Sequence, residues 1–192
     1  MRKLALHMIV SIDGIFSSGY DSVNPHTQWD EEVHRFYLDL FTASGGVIFG
    51  RNLYEQYVGH WSRVARGEIP AATDFELRWT QRLTDMPKFV ISSSAPTLIG
   101  HEDHVLSSEV ERAVSKLQDQ PGGDLLLMCG PALLAQLNRK GLIDEYMLYV
   151  CPNALGHGRH LFGEIDEPLY LTVEQTVPFA SGMTFNRYAR VR

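Results

Sequence analysis

The sequence predicts an α/β domain built on a mixed sheet, with parallel strands first and an antiparallel hairpin last. Three observations predict it. Up to residue 150, short apolar runs of strand character alternate with segments whose apolar residues recur at helical spacing. Beyond that, two strand-like runs, residues 169–177 and 183–191, flank Pro178-Phe179-Ala180-Ser181-Gly182, a hairpin loop of about five residues. The length of 192 residues, with 44% hydrophobic and 21% charged residues, suits one globular domain over residues 1–192 and argues against disorder or a disulfide scaffold.

Each element has its own signal. Residues 2–12 place Leu4, Leu6, Met8 and Val10 on one face of a strand. Residues 13–28, rich in Gly, Ser, Asn and Pro, read as a loop. Residues 29–42 carry Val33, Phe36, Tyr37, Leu40 and Phe41 at helical spacing behind Asp30-Glu31-Glu32, an acidic helix start. Residues 45–49 are a short buried strand, and residues 51–58 are helical. A helix over residues 74–83 ends before Pro87, a strand over 88–92 runs into a serine turn, and 108–118 is an amphipathic helix. Residues 124–129 form a buried strand, 132–139 a helix opened by Pro131, and 143–150 a further strand.

Charge and motif content narrow the function. The net charge of −6 is wrong for a general nucleic-acid binder, whose phosphate contacts need clustered cations. No apolar run has the length of a membrane span, and the first residues form no signal-peptide core, so a cytoplasmic protein is expected. Cys129 and Cys151 read as reduced core residues, with a disulfide as the alternative. Neither a phosphate-binding Gly-x4-Gly-Lys loop nor a Gly-x-Ser-x-Gly nucleophile elbow occurs. Gly156-His157-Gly158-Arg159-His160-Leu161 lacks the third glycine of a dinucleotide fingerprint. The pairs His101/His104 and His157/His160 read as solvated loop histidines, and no metal is expected.

Three turns carry more information. In Phe49-Gly50-Arg51-Asn52-Leu53-Tyr54-Glu55 a buried strand ends in glycine and an arginine opens the next helix. That arrangement suits an anionic group, or Arg51 simply pairs with a surface carboxylate; locally the two readings are equal. In residues 125–134 a buried strand again ends in glycine, Gly130, and a helix starts at once. Ligands of open α/β sheets lie at such places, although the local sequence alone favours a bare tight turn. Ser92 and Ser93, ending the Lys88 strand, either take a phosphate or cap their turn.

In order and spacing these segments resemble the dihydrofolate reductase-like fold. They are most similar to the C-terminal reductase domain of the bacterial bifunctional riboflavin-biosynthesis deaminase/reductase and its stand-alone relatives. The residues that carry the resemblance are Ser11-Ile12-Asp13-Gly14, residues 50–55, residues 88–92, Cys129-Gly130-Pro131-Ala132-Leu133-Leu134, residues 141–145, Pro152, residues 155–158, Leu161-Phe162, residues 179–182 and Tyr188. The resemblance implies NADPH as hydride donor. Arg51 and Ser92, with Asn52 and Ser93 as neighbours, match the family's positions near the adenosine 2′-phosphate. Gly130, Ala132, Leu133 and Leu134 match the turn whose backbone N–H groups approach the pyrophosphate, with Pro131 inside it. Dihydrofolate reductases keep a cis bond at the corresponding Gly-Gly pair. Since proline makes cis cheaper, a cis Gly130–Pro131 bond is expected.

The pteridine-binding carboxylate of dihydrofolate reductases falls at His34, which argues against dihydrofolate reduction. Asp13 is the candidate catalytic residue and polar substrate contact, with capping of the Gly14 turn as its equally weighted alternative. Phe16 and Trp29 are candidates to stack on a substrate ring or to fill the core. The 13–30 loop, His34 on the 29–42 helix, and Pro152 to Gly156 and Gly158 complete the expected pocket. The reaction implied is hydride transfer to a small heterocyclic or ribosylamino-pyrimidine-type substrate. The alternatives are a true dihydrofolate reductase and a non-catalytic NADPH-binding protein. A homodimer is expected, because a long apolar hairpin edge should not stay exposed.

Overall fold

A computed structural model describes residues 1–16, 29–92, 98–99, 103–106 and 109–191. Its elements run β1 (Leu4–Ser11), β2 (Ile15–Phe16), α1 (Glu31–Ala43), β3 (Gly46–Gly50) and α2 (Arg51–Leu53). α2 continues through a π-type turn (Tyr54–Val58) into α3 (Gly59–Ala65). Then come α4 (Asp74–Asp85), β4 (Lys88–Ile91), β5 (Asp103–Leu106), α5 (Val110–Asp119), β6 (Leu125–Met128) and α6 (Pro131–Arg139). The chain ends in β7 (Glu145–Cys151), β8 (Arg159–His160), β9 (Leu171–Pro178) and β10 (Thr184–Arg190).

Eight strands form one sheet in the order β5-β4-β3-β6-β1-β7-β10-β9. The first six are parallel, and β10 and β9 add antiparallel strands. The predicted mixed sheet with its closing hairpin is the observed one. β3 and β6 are fully apolar over their central residues because they are covered on both faces. In β7, Tyr146 and Tyr149 project to opposite faces. α1 covers the Tyr149 side through Tyr37 and Phe41, whose rings also enclose His7 of β1. α6 covers the other side, where the Tyr146 hydroxyl donates to Asn138 Oδ1 at 2.7 Å.

Helix ends are tied by named side chains. Asp30 caps α1 by accepting from the Val33 amide at 2.8 Å, as the acidic helix start implied. Its second oxygen accepts from the Ser181 amide at 2.8 Å, fastening α1 to the β9–β10 turn. Lys88, 2% exposed, donates through Nζ to the carbonyls of Leu83, Thr84 and Met86 and so satisfies the end of α4. Arg82 does the same for α1 at Phe41, and Arg190 for α6 at Asn138.

The structure differs from expectation in several places. The 143–150 strand begins only at Glu145, because Asp144 is occupied in accepting from the Leu4 amide and Gln118 Nε2. The 108–118 helix begins at Val110, since Glu109 takes the left-handed conformation at φ 52°. Strand β5 was unforeseen; it contains His104, and His101 lies outside the described residues. The 13–28 loop opens with β2, which pairs antiparallel with β8, so His160 is a strand residue rather than part of a loop. Cys129 and Cys151 are buried and free. Burial raises both thiols, Cys151 to about 12, which keeps them in the unreactive thiol form.

Candidate functional site

The parallel register lines up three strand-to-helix turns. Gly50 lies opposite Ile91, and Phe49 opposite Met128, so Ser92, Gly50–Arg51 and Cys129–Gly130 end neighbouring strands side by side. β3 sends its chain towards β4, whereas β6 sends its chain through α6 to β7 on the far side of β1. The carboxyl ends of β3 and β6 therefore flank a topological switch point, the usual ligand crevice of such sheets.

At the Gly130 turn, α6 starts without a side-chain cap. Pro131 has no N–H, and the Leu134 amide donates to the Gly130 carbonyl at 3.1 Å. Of the amides expected to face a ligand, those of Ala132 and Leu133 are the free ones, and Leu134 is engaged inside its helix. The expected cis bond is not found, since no peptide bond among the described residues is cis. Gly130, at φ −81° and ψ 173°, holds the extended conformation that a residue before proline prefers, and Pro131 enters α6 at its first turn in the trans form. Neither this backbone nor packing demands glycine at 130. A Cβ there would make ordinary contacts at 3.7 Å to Phe16 Cζ and 3.8 Å to Arg159 Nη2.

Arg51 Nε lies 3.2 Å from Glu55 Oε1, one helical turn on. The surface-carboxylate reading is thus realised, but both side chains are over 40% exposed, and such a pair is worth about 0–1 kcal/mol. A phosphate dianion is a stronger partner for the same guanidinium. Asn52 is exposed beside it, and Ser92 is buried at the neighbouring strand end. Ser93 lies outside the described residues.

Across β1, the turn at residues 11–16 is clasped by residues 153–161. The Ile12 amide donates to the Asn153 carbonyl at 2.9 Å, and the Leu161 amide to the Gly14 carbonyl at 2.9 Å. Asp13 Oδ1 accepts from Ser11 Oγ and from the Leu155 amide at 3.2 Å, and Oδ2 from the Gly156 amide at 2.8 Å. These bonds, the one from Ser11 foremost, hold its carboxyl down at about 2. Both oxygens of Asp13 are thus engaged in holding this turn, the contact its capping alternative implies. Phe16, 2% exposed, faces the Gly130 turn, with the Arg159 guanidinium 5.7 Å above its ring.

The remaining expected pocket residues gather on the α1 side. His34 stacks on Phe75 with centroids 4.0 Å apart and planes 9° apart, and on Trp29 at 5.5 Å. Burial lowers the pKa of His34. Trp29 stacks in turn on Tyr149 at 6.4 Å. Pro152 and Gly156 are exposed beyond β7, with Pro152 next to Gly182 of the hairpin turn. Phe16 thus lies against the Gly130 turn, and Trp29 and His34 lie in the ring cluster of Tyr149. Sequence reasoning missed Arg159, Ser11 and Tyr149. For Arg159 the only local signal was the Gly-x-Gly-Arg run.

The family follows from comparison. The model of the RibD C-terminal domain matches residues 2–185, and the chain belongs to that family. It is 26% identical over 188 residues to the uncharacterized protein YyaP of Bacillus subtilis (strain 168), covering 95% of this chain and 92% of that one. Among solved structures it is similar to a candidate riboflavin biosynthesis protein from Shewanella sp. PV-4, at TM-score 0.68 and 19% identity over all of both chains. It is also similar to the Enterococcus faecalis dihydrofolate reductase complexed with NADP(H) and RAB-propyl, at TM-score 0.59 and 16% identity over 99% of this chain and 97% of that one. The architecture is thus dihydrofolate reductase-like, and the protein is riboflavin-biosynthesis reductase-like. No helix among the described residues is long and apolar enough to cross a membrane. No group of three or more metal-ligating side chains occurs among them either.

Proposed function

We propose that this protein is an NADPH-dependent reductase acting on a small heterocyclic substrate of the ribosylamino-pyrimidine type. One observation carries the reading: the Ser92, Gly50–Arg51 and Gly130–Leu133 turns stand in register at a switch point, with two free amides at the start of α6. This donor set fits a dinucleotide phosphate. Ala132 and Leu133 donate to the pyrophosphate, and Arg51 with Ser92 and Asn52 takes the 2′-phosphate. When bound, the reduced nicotinamide supplies the hydride. Asp13 is a positioning residue that keeps residues 155–156 against the β1 turn, and the proton comes through water. Trp29 and His34, stacked on each other within a ring cluster, form an aromatic wall whose edges bound the substrate ring. The exposed edge of β9, with Val173 59% exposed beside Tyr170, supports the expected homodimer.

His34 also favours this reading over dihydrofolate reduction. A half-buried imidazole stacked between two rings cannot make the bidentate contact of a carboxylate. The test follows NADPH oxidation through the near-ultraviolet absorbance of the reduced nicotinamide. Turnover is expected with a ribosylamino-pyrimidine phosphate and not with dihydrofolate. Turnover of dihydrofolate, or NADPH binding with no turnover on a panel of both classes, overturns it in favour of one of the two alternatives.

A further inference from the structure

We infer that Arg159 is a further binding residue of this site, a cation for the dinucleotide pyrophosphate common to NADPH and NADH; the inference rests on the cofactor reading above. Three features of Arg159 point there. Its Nη2 is 3.8 Å from the Cβ position of Gly130, so the guanidinium overhangs the very turn that carries the free Ala132 and Leu133 amides. It is held there without a carboxylate: β8 pairs Arg159 with Phe16, and the guanidinium lies over the Phe16 ring. Its guanidinium is also exposed and has no ion pair or hydrogen bond among the described residues, although the chain carries 23 acidic residues.

A cation fixed beside the positive end of a helix is electrostatically unfavourable. The Phe16 ring face offsets part of this, and no carboxylate among the described residues pairs with the guanidinium. A doubly charged pyrophosphate between Arg159 and the two amides relieves the rest, accepting from guanidinium and backbone together. Arg51 and Arg159 then divide the work. Arg51 reads the 2′-phosphate that only NADPH has, while Arg159 binds what both coenzymes share.

The test is calorimetric titration of Arg159→Gln and Arg159→Lys with NADPH, NADH and ADP-ribose, beside the unaltered protein. Arg159→Gln is expected to weaken all three ligands by one common factor, about tenfold or more, and Arg159→Lys to restore part of the loss. Inorganic pyrophosphate should raise the melting temperature of the unaltered protein more than that of Arg159→Gln. Unliganded Arg159→Gln should melt no lower than the parent, since an exposed cation beside a helix start has been removed. Unchanged coenzyme affinity in Arg159→Gln overturns the assignment while leaving the cofactor reading intact. Loss of ribose 5-phosphate binding alone gives the cation to the substrate instead and also overturns it. Failure of the unaltered protein to bind any dinucleotide removes both.

Discussion

Replacing Gly158 by Val is expected to destabilise the protein by about 3 kcal/mol and to lower its affinity for reduced coenzyme at the same time. Gly158 has φ 136°, a conformation that L side chains rarely adopt, and a Cβ there would lie 2.6 Å from Ile15 Cγ2. Ile15 is 3% exposed and opens β2, so it has little room to withdraw. Relief comes from parting β2 from β8, which moves Phe16 and Arg159 away from the Gly130 turn. A control separates strain from location. Gly67 has φ 72° with nothing within 4 Å of a Cβ and lies beyond α3, so Gly67→Ala carries only the backbone penalty. Urea unfolding should show a large shift in midpoint for Gly158→Val and a smaller one for Gly67→Ala. Only the first should change coenzyme binding. Equal effects from the two contradict the clasp.

Acid should destabilise the protein through His7, and His7→Phe should remove most of that dependence. His7 is fully buried among the rings of Tyr37, Phe41 and Tyr149, and neither of its nitrogens has a partner among the described residues. Burial therefore pulls its pKa from the ordinary 6.5 down to about 3. Above pH 6.5 the ring is neutral in both folded and unfolded chains and stability does not depend on it. Below that, the unfolded chain takes up a proton that the folded one refuses. Stability then falls by about 1.4 kcal/mol per pH unit until the folded-state value near 3 is reached. Between pH 7 and pH 5 the loss is about 2 kcal/mol. His34 adds a smaller contribution of the same sign. Phe keeps the edge-on ring contacts and removes two unsatisfied nitrogens, so unfolding of His7→Phe should be flatter with pH over this range. A parallel pH dependence in the two proteins would contradict the assignment.

How much of this was legible in the sequence follows from the range of each interaction. β1, α1, β3, β6 with α6, and the β9–β10 hairpin were legible because their signals are local: apolar alternation, acidic caps, and Gly or Pro at turns. The three turns proposed to hold the coenzyme were legible as turns for the same reason, as each is a strand ending in Gly or Ser. What was missed joins residues far apart in the chain. Ile15 pairs with His160 and Phe16 with Arg159 across more than 140 positions, and no window of sequence holds both partners. The bonds of Asp13 to Leu155 and Gly156 lie equally far away. The Gly130–Pro131 expectation failed differently. It carried over a Gly-Gly geometry, whereas a proline at the first helical position is satisfied by an extended residue before it and a trans bond.

The turns ending β4, β3 and β6 are proposed to hold a dinucleotide carrying a 2′-phosphate. Calorimetric titration of the protein and of Arg51→Ala with NADPH and with NADH decides this. The protein should bind NADPH more tightly than NADH. Arg51→Ala should lose about tenfold or more in NADPH affinity while leaving NADH unchanged, so that the preference largely disappears. Equal affinity of the unaltered protein for both coenzymes, or binding of neither, contradicts it.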